Sequence, residues 1–250
     1  MKNTGYIIVV IGLLGCGQRG ANSEVTNQRD SSSTEKIIVR YNIEDLIPPI
    51  NLPEGFRLDT IQKIDSTKNV SIFIFLPVSG IDQIDKVVFD DIQKQKDDFI
   101  ESLDEMIKED ERILGTVNSD FQAEPISVFK DDKVTSYLFI VSYYQAGAAH
   151  PMTMYYSLNF DNKTLKRISF SDYFLVESKN DTTQLTDLIT RSIGEDGIFV
   201  TTLSDIDFNI EQDTISFNFD DYEIASYAAG IIQGRVHRNQ LDNKIRTMYR

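Results

Sequence analysis

The segment Val134 to Gln145 constrains the fold of this chain more than any other. Large residues occupy both of its alternating sets, with Tyr137, Phe139, Val141 and Tyr143 on one of them. Successive side chains of a strand point to opposite faces, so this strand must be covered on both sides. The pattern predicts an inner strand of a layered fold. Met154, Tyr156, Leu158 and Phe160 alternate on the next strand, and Asp161-Asn162-Lys163-Thr164 then turns the chain back.

The other elements are read from the same two periods. Ile37-Ile38-Val39 is a strand, and order is expected to begin there. Prolines at Ile47-Pro48-Pro49 and Leu52-Pro53 break any regular element after it. Phe56 to Ile64 and Val70 to Leu76 form a pair of strands, with Val70, Ile72, Ile74 and Leu76 on one face. Asp85 to Lys108 is a long helix. Val88, Ile92, Phe99, Leu103 and Met106 recur at helical spacing, the charged residues cover the rest, and Gly115 is the expected stop. A second helix runs from Asp181 to Ile193, with Leu185, Leu188, Ile189 and Ser192 inward and Gly194 at its end.

Ile206, Phe208 and Ile210 face Ile215, Phe217 and Phe219 across Gln212-Asp213, as in a hairpin. Ile231 to His237 reads as a last inner strand. Leu241, Ile245 and Met248 read as a short terminal helix. Strands and helices alternate without a repeating βα rhythm. The fold class is therefore α+β, a mixed or antiparallel sheet packed against a long helix and shorter C-terminal helices.

The chain opens with Lys2, an apolar run from Tyr6 to Leu14, and its only cysteine, Cys16. A basic start, a short apolar core and a small residue before the cut describe a secretory signal. The run falls short of the roughly 20 apolar residues that span a bilayer. Leu13-Leu14-Gly15-Cys16 resembles the bacterial lipobox. That resemblance implies cleavage before Cys16 and diacylglycerol on its thiol, with the bilayer as a partner. The alternative is an ordinary signal peptide with an unrelated cysteine. The expected division is a signal peptide at 1–15, a polar tether at 16–36 and a folded module at 37–250, in halves 37–130 and 131–250. The location is the bacterial envelope outside the cytoplasm. Gly17 after the cysteine points to the periplasmic side of an outer membrane. With one cysteine, stability must come from packing rather than from a disulfide.

The formal net charge is −14. Such a surface repels nucleic acid and attracts cations or basic proteins, and it also serves solubility alone. The basic end, from Arg235 through Arg238, Lys244 and Arg246 to Arg250, is expected to pair with the acidic body.

Several motif matches carry nothing. Gly15, Gly17 and Gly20 match a dinucleotide fingerprint, but they lie across the cleavage site with no strand before them. Asp205, Asp207 and Asn209 start like a calcium loop, but Ile210 stands where glycine must turn the chain. They are read as the wet face of a strand. His150 and His237 are the only histidines and form no spaced ligand pair, so no metal or cofactor is expected. There is no Gly-x-Ser-x-Gly elbow.

Two segments combine small residues with tyrosines. They are Tyr143-Tyr144-Gln145-Ala146-Gly147-Ala148-Ala149-His150-Pro151 and Tyr222-Glu223-Ile224-Ala225-Ser226-Tyr227-Ala228-Ala229-Gly230. Small side chains allow close approach of a backbone or ligand, and tyrosine offers flat apolar area with a hydroxyl. The candidate binding residues are Tyr143, Tyr144, Gly147, Ala148, His150, Tyr222, Glu223, Tyr227 and Gly230.

These segments resemble a domain family of unknown function. It forms the extracellular C-terminal domain of lysozyme-sensing anti-sigma factors and precedes the catalytic domain of certain peptidoglycan deacetylases. The resemblance rests on Tyr144, Gly147 to His150, Phe160-Asp161, Ser171 to Phe174, and Tyr222 to Gly230, in that order. Phe73 to Glu105 resembles the companion N-terminal half. Ala148 stands where the family pattern has its second glycine. The resemblance implies a non-catalytic, lipid-anchored module whose ligand is a lysozyme-like wall hydrolase or peptidoglycan. Two alternatives stay open: an enzyme acting on wall glycan or peptide with His150 and Glu223 as a coupled acid and base, or a structural lipoprotein docking to another envelope protein. His150 and Glu223 also have a structural reading, as partners for loop backbone.

Overall fold

The computed structural model describes residues 50–112, 118–194, 198–203 and 206–250, with the backbone of two short strands, β1 Glu24–Asn27 and β2 Ile37–Arg40. The signal segment, Cys16 and the expected stop at Gly115 lie outside these residues. Strand β1 falls within the polar stretch read as a tether and pairs antiparallel with β2, Val25 lying opposite Val39.

The doubly covered strand is β6, Val134–Tyr144. It belongs to a five-stranded sheet with β3 Arg57–Asp65, β4 Val70–Val78, β5 Ser119–Lys130 and β7 Met152–Asp161, in the order β3-β4-β5-β6-β7. Every neighbouring pair is antiparallel except β4 and β5. A parallel pair needs a crossover, and here that crossover contains the helix α1, Asp82–Glu109. The Asp85 carboxylate secures its start by accepting from Ser79 N at 2.8 Å, Ser79 Oγ at 2.7 Å and Gly80 N at 2.9 Å. Ile84, Val88, Ile92, Phe99 and Leu103 are its buried residues, and Met106 is only half-buried. The helix ends at Glu109, before Gly115, because the charged run from Lys108 to Arg112 has no apolar side chain to bury.

The buried face of α1 meets Ile72, Ile74, Phe121, Phe139, Val141 and Leu158 in one core. The opposite face of the β6–β7 end meets a second sheet. That sheet consists of β8 Asp207–Ile210, β9 Thr214–Phe219 and β10 Ile232–His237, in the order β10-β9-β8. Phe208, Ile210, Ile215, Phe217 and Phe219 form a second core with Tyr173 of the short helix α2, Phe170–Tyr173, and Leu185 and Ile189 of α3, Lys179–Ile193. The architecture is α+β. The division expected at 130/131 falls in the β5–β6 turn, inside one sheet.

Two expectations for the C-terminal region need correction. Strand β10 is an edge strand, not an inner one. Residues 241–248 do not form a helix. Leu241 and Ile245 are buried as expected, but Met248 is 59% exposed, and a 3₁₀ turn at Thr247–Tyr249 buries Tyr249 instead. The tail is held by pairing rather than by helical bonds: Leu175 N donates to Lys244 O at 2.6 Å and Arg246 N to Tyr173 O at 2.9 Å. The basic end does pair with the acidic body. Lys244 meets Asp181 at 2.5 Å, and Arg235 meets Glu211.

Helix α3 begins at Ser178 in a reciprocal capping box with Asp181 and ends at Gly194 with φ +72°. It lies directly on β10 at Gly234. A Cβ added there would sit 2.7 Å from Ser192 Oγ and 3.2 Å from Ile189 O. Gly234→Ala is expected to lower stability by about 1–3 kcal/mol, read as an earlier urea midpoint. An unchanged midpoint would contradict this packing.

Candidate functional site

Strand β7 closes one edge of the large sheet, so every second amide points away from β6. Three acids receive these amides, one from β8 and two from the turn that directly follows β9. Thr153 N donates to Asp221 Oδ2 at 3.1 Å, Tyr155 N to Asp220 Oδ1 at 2.7 Å, and Ser157 N to Asp207 Oδ2 at 2.9 Å. Ser157 Oγ also donates to Asp207 Oδ2 at 2.9 Å and accepts from Asn218 Nδ2 at 3.0 Å.

The reading of Asp207 and Asn209 as a wet strand face is therefore overturned, while Asp205 lies outside the described residues. Asn209 is 1% exposed, and Asp207 is turned onto β7. Their polarity serves a buried layer between the sheets, not solvent. Ser136 Oγ donates to Asn159 Oδ1 at 2.7 Å and accepts from Ile210 N at 2.9 Å, and Asn159 Nδ2 donates to Phe208 O at 2.7 Å. The Asn209 amide is the exception. Neither its nitrogen nor its oxygen has a hydrogen-bond partner among the described residues. Burial pushes the Asp207 carboxyl up to about 7, against the pull of the Ser157 donors, and the Asp220 carboxyl up to about 6.

Asp220 and Asp221 lead straight into the second small-residue segment. Tyr222 comes next with φ +69°, a left-handed conformation that costs a bulky residue of order 1–3 kcal/mol. The turn is tied by Glu223 N donating to Asp220 O at 3.1 Å and Asp220 N donating to Glu223 Oε2 at 2.9 Å. It is continued by the 3₁₀ turn Tyr227–Ala229 and by Gly230, whose φ of +69° and ψ of −163° suit glycine alone.

The first segment arrives from the β6–β7 turn. Gly147 has φ +94°, a conformation that favours glycine. Ala148 has no positive φ, so a side chain is accommodated there without backbone strain. Ala146 N donates to Ser119 Oγ at 2.9 Å and Tyr144 OH to Ala148 O at 3.3 Å, which fastens the turn to the sheet.

The two segments meet at His150. Its ring stacks on Tyr227 with centroids 3.7 Å apart and planes at 24°. Its Nδ1 lies 3.0 Å from Pro151 O, a carbonyl that can only accept, so Nδ1 carries the proton. In the neutral ring Nε2 is then the acceptor for Tyr222 OH at 3.2 Å. Tyr227 OH donates to the same Pro151 carbonyl at 3.0 Å. Tyr222 and Tyr227 are themselves stacked with centroids 5.6 Å apart. The result is an aromatic shelf, with Tyr222 57% exposed and the small residues Gly147, Ala148, Ala228 and Ala229 open around it.

Of the residues expected at the site, His150, Tyr222 and Tyr227 are brought into contact. Gly147 and Gly230 shape the two turns, and Tyr144 braces the first. Tyr143 goes elsewhere. It packs beside Phe99 of α1, with centroids 5.8 Å apart, because it continues the inward set of β6. His150 and Glu223 make no ion pair with each other; the imidazole is held by Pro151 and Tyr222, the carboxylate by its own turn. Sequence reasoning missed the three edge acids. The adjacent Asp220-Asp221 directly before Tyr222 was the available signal. Among the described residues no three His, Cys, Asp or Glu side chains gather as a metal-holding group.

No family model matches this chain, and no curated protein does. Among solved structures it is similar to a member of the DUF3298 family from Bacteroides fragilis, with a TM-score of 0.54 and 18% identity over 77% of this chain and 94% of that one. It is also similar to a DUF3298 family protein from Pseudomonas aeruginosa, with a TM-score of 0.51 and 13% identity over 78% of this chain and 96% of that one. At these identities the likeness is one of fold.

The raised carboxyls make stability depend on pH in a definite direction. A free aspartate titrates near about 3.9, so the folded protein holds protons on Asp207 and Asp220 that the unfolded chain has lost. Their contribution to stability falls as pH rises from about 4 through about 7. The urea midpoint is expected to be higher near pH 5 than near pH 8, and Asp207→Asn should flatten that slope. An equal slope in the variant would remove Asp207 from this account.

Proposed function

We propose that this chain is a non-catalytic binding module of the bacterial envelope, anchored through acylated Cys16, with the shelf of His150, Tyr222 and Tyr227 as its contact surface. Its ligand is a basic, lysozyme-like wall hydrolase. The observation that carries this reading is the shelf itself. Two segments far apart in sequence converge there, and the backbone is held in a costly conformation at Tyr222 while that ring remains 57% exposed. Exposed aromatic area fixed in place is what interfaces use as anchors. Asp221 and Glu223 flank Tyr222, and the whole chain carries −14, which favours encounter with a cationic partner. The separate partners of His150 and Glu223 support a binding role over a paired acid and base.

Calorimetry against a basic lysozyme at low and at physiological salt tests the reading. Stoichiometric binding should persist at physiological salt, and Tyr222→Ala with Tyr227→Ala should weaken it by about thirtyfold or more. Binding that vanishes with salt and ignores both substitutions would reduce the interaction to charge attraction. Binding to peptidoglycan but not to lysozyme would transfer the shelf to the wall.

A further inference from the structure

The two edges of the large sheet are treated in opposite ways. At β7 the outward amides of Thr153, Tyr155 and Ser157 are taken up by Asp221, Asp220 and Asp207. At β3 no further strand is added among the described residues, and the nine residues Arg57–Asp65, none of them proline, pair with β4 without a bulge. A long, regular, open edge is a template for another strand.

The side chains on this edge say which strand. The register with β4 places Asp59 opposite Leu76, Ile61 opposite Ile74 and Lys63 opposite Ile72. Arg57, Asp59, Ile61, Lys63 and Asp65 therefore share the face that α1 covers, and Leu58, Thr60, Gln62 and Ile64 share the other. Laid antiparallel against a copy of itself about Ile61, the strand matches at every position. Arg57 faces Asp65, Asp59 faces Lys63, Leu58 faces Ile64, and Thr60 faces Gln62. Here each cation meets an acid, and the apolar pair lies on the second face.

Two of the four charged side chains are open to a partner across the edge, and the other two form an exposed pair that association would exchange. Lys63 makes no salt bridge among the described residues. The Asp65 turn bonds all go to Oδ1, from Thr67 N at 3.0 Å and Lys68 N at 3.2 Å, which leaves Oδ2 for an arginine across the edge. Arg57 and Asp59 pair along their own strand at 3.0 Å, with side chains 65% and 50% exposed. Beside the edge runs an open groove of about 690 Å³ lined by Arg57, Asp59, Ile61, Asp82, Val88 and Phe89. Its carboxylates suit an incoming lysine, and Phe89, 45% exposed, offers it an apolar wall.

We infer that β3 is a self-recognition surface, on which two copies of this chain pair antiparallel about Ile61 to join their sheets into one of ten strands. The contact is isologous, so it closes at two copies and does not propagate. It lies on the far edge of the sheet from the aromatic shelf and leaves that shelf free in both copies.

Charge exchange tests this directly on the full chain by sedimentation equilibrium, with circular dichroism confirming that each variant folds. Wild type should be a dimer. Asp59→Lys and Lys63→Asp alone should each weaken it by about tenfold or more, because each sets two like pairs across the axis. The double exchange restores opposite charges at both places and should restore the dimer. A monomeric wild type, single variants that associate as wild type does, or a double exchange no better than the singles would each overturn the inference.

Discussion

The outward amides of β7 are the constraint on which the rest of this structure depends. A backbone N–H shut away from water must find an acceptor, and an edge strand has no neighbour to supply one. Asp207, Asp220 and Asp221 supply it here, with donor distances of 2.9, 2.7 and 3.1 Å. Side chains from one sheet thus complete the hydrogen bonding of another. The arrangement also settles where the chain goes next. Asp220 and Asp221 are fixed on β7, so Tyr222 to Gly230 must emerge beside the turn that carries His150. The shelf is a consequence of that joint.

The joint is polar where a simpler protein would be greasy. Apolar cores lie outside it, one under α1 and one between the second sheet and α3. Between them sit Ser136, Ser157, Asn159, Asn209 and Asn218, each at most 3% exposed. Such a layer gains less from burial than leucines would, and it desolvates carboxylates. What it adds is register. Ser136 Oγ accepts from Ile210 N and Asn159 Nδ2 donates to Phe208 O, so a slip of β8 by one residue would break both bonds and turn Phe208 toward the serines. A surface built by two sheets needs that definition.

Much of the fold was legible because burial writes a period into the sequence. The two-sided strand at 134–144, the stripe of α1 and the alternation of β7 all come from it. Local chemistry was legible too, as at Gly194, whose left-handed φ ends α3. What misled was polarity read as exposure. Asp207 and Asn209 look wet because acids and amides usually are, yet their partners are the amides and serines of another sheet, and alternation carries no record of them. Tyr143 and Tyr144 illustrate the same limit within one segment. The first obeys the period of β6 and is core, while the second braces the turn. The segments around His150 and Tyr222 stood out by composition, but nothing local tells which ring rests on which.

The central claim is that carboxylates clamped on β7 hold the aromatic shelf together. Proton magnetic resonance of His150 tests it most directly, since the chain has only one other histidine, His237. With Tyr227 stacked 3.7 Å away, the ring protons of His150 should be displaced upfield by the tyrosine ring current. Asp220→Ala should return them to ordinary positions while the core resonances around β6 hold. Undisplaced His150 signals in the wild type, or displaced signals that survive the substitution unchanged, would contradict the account.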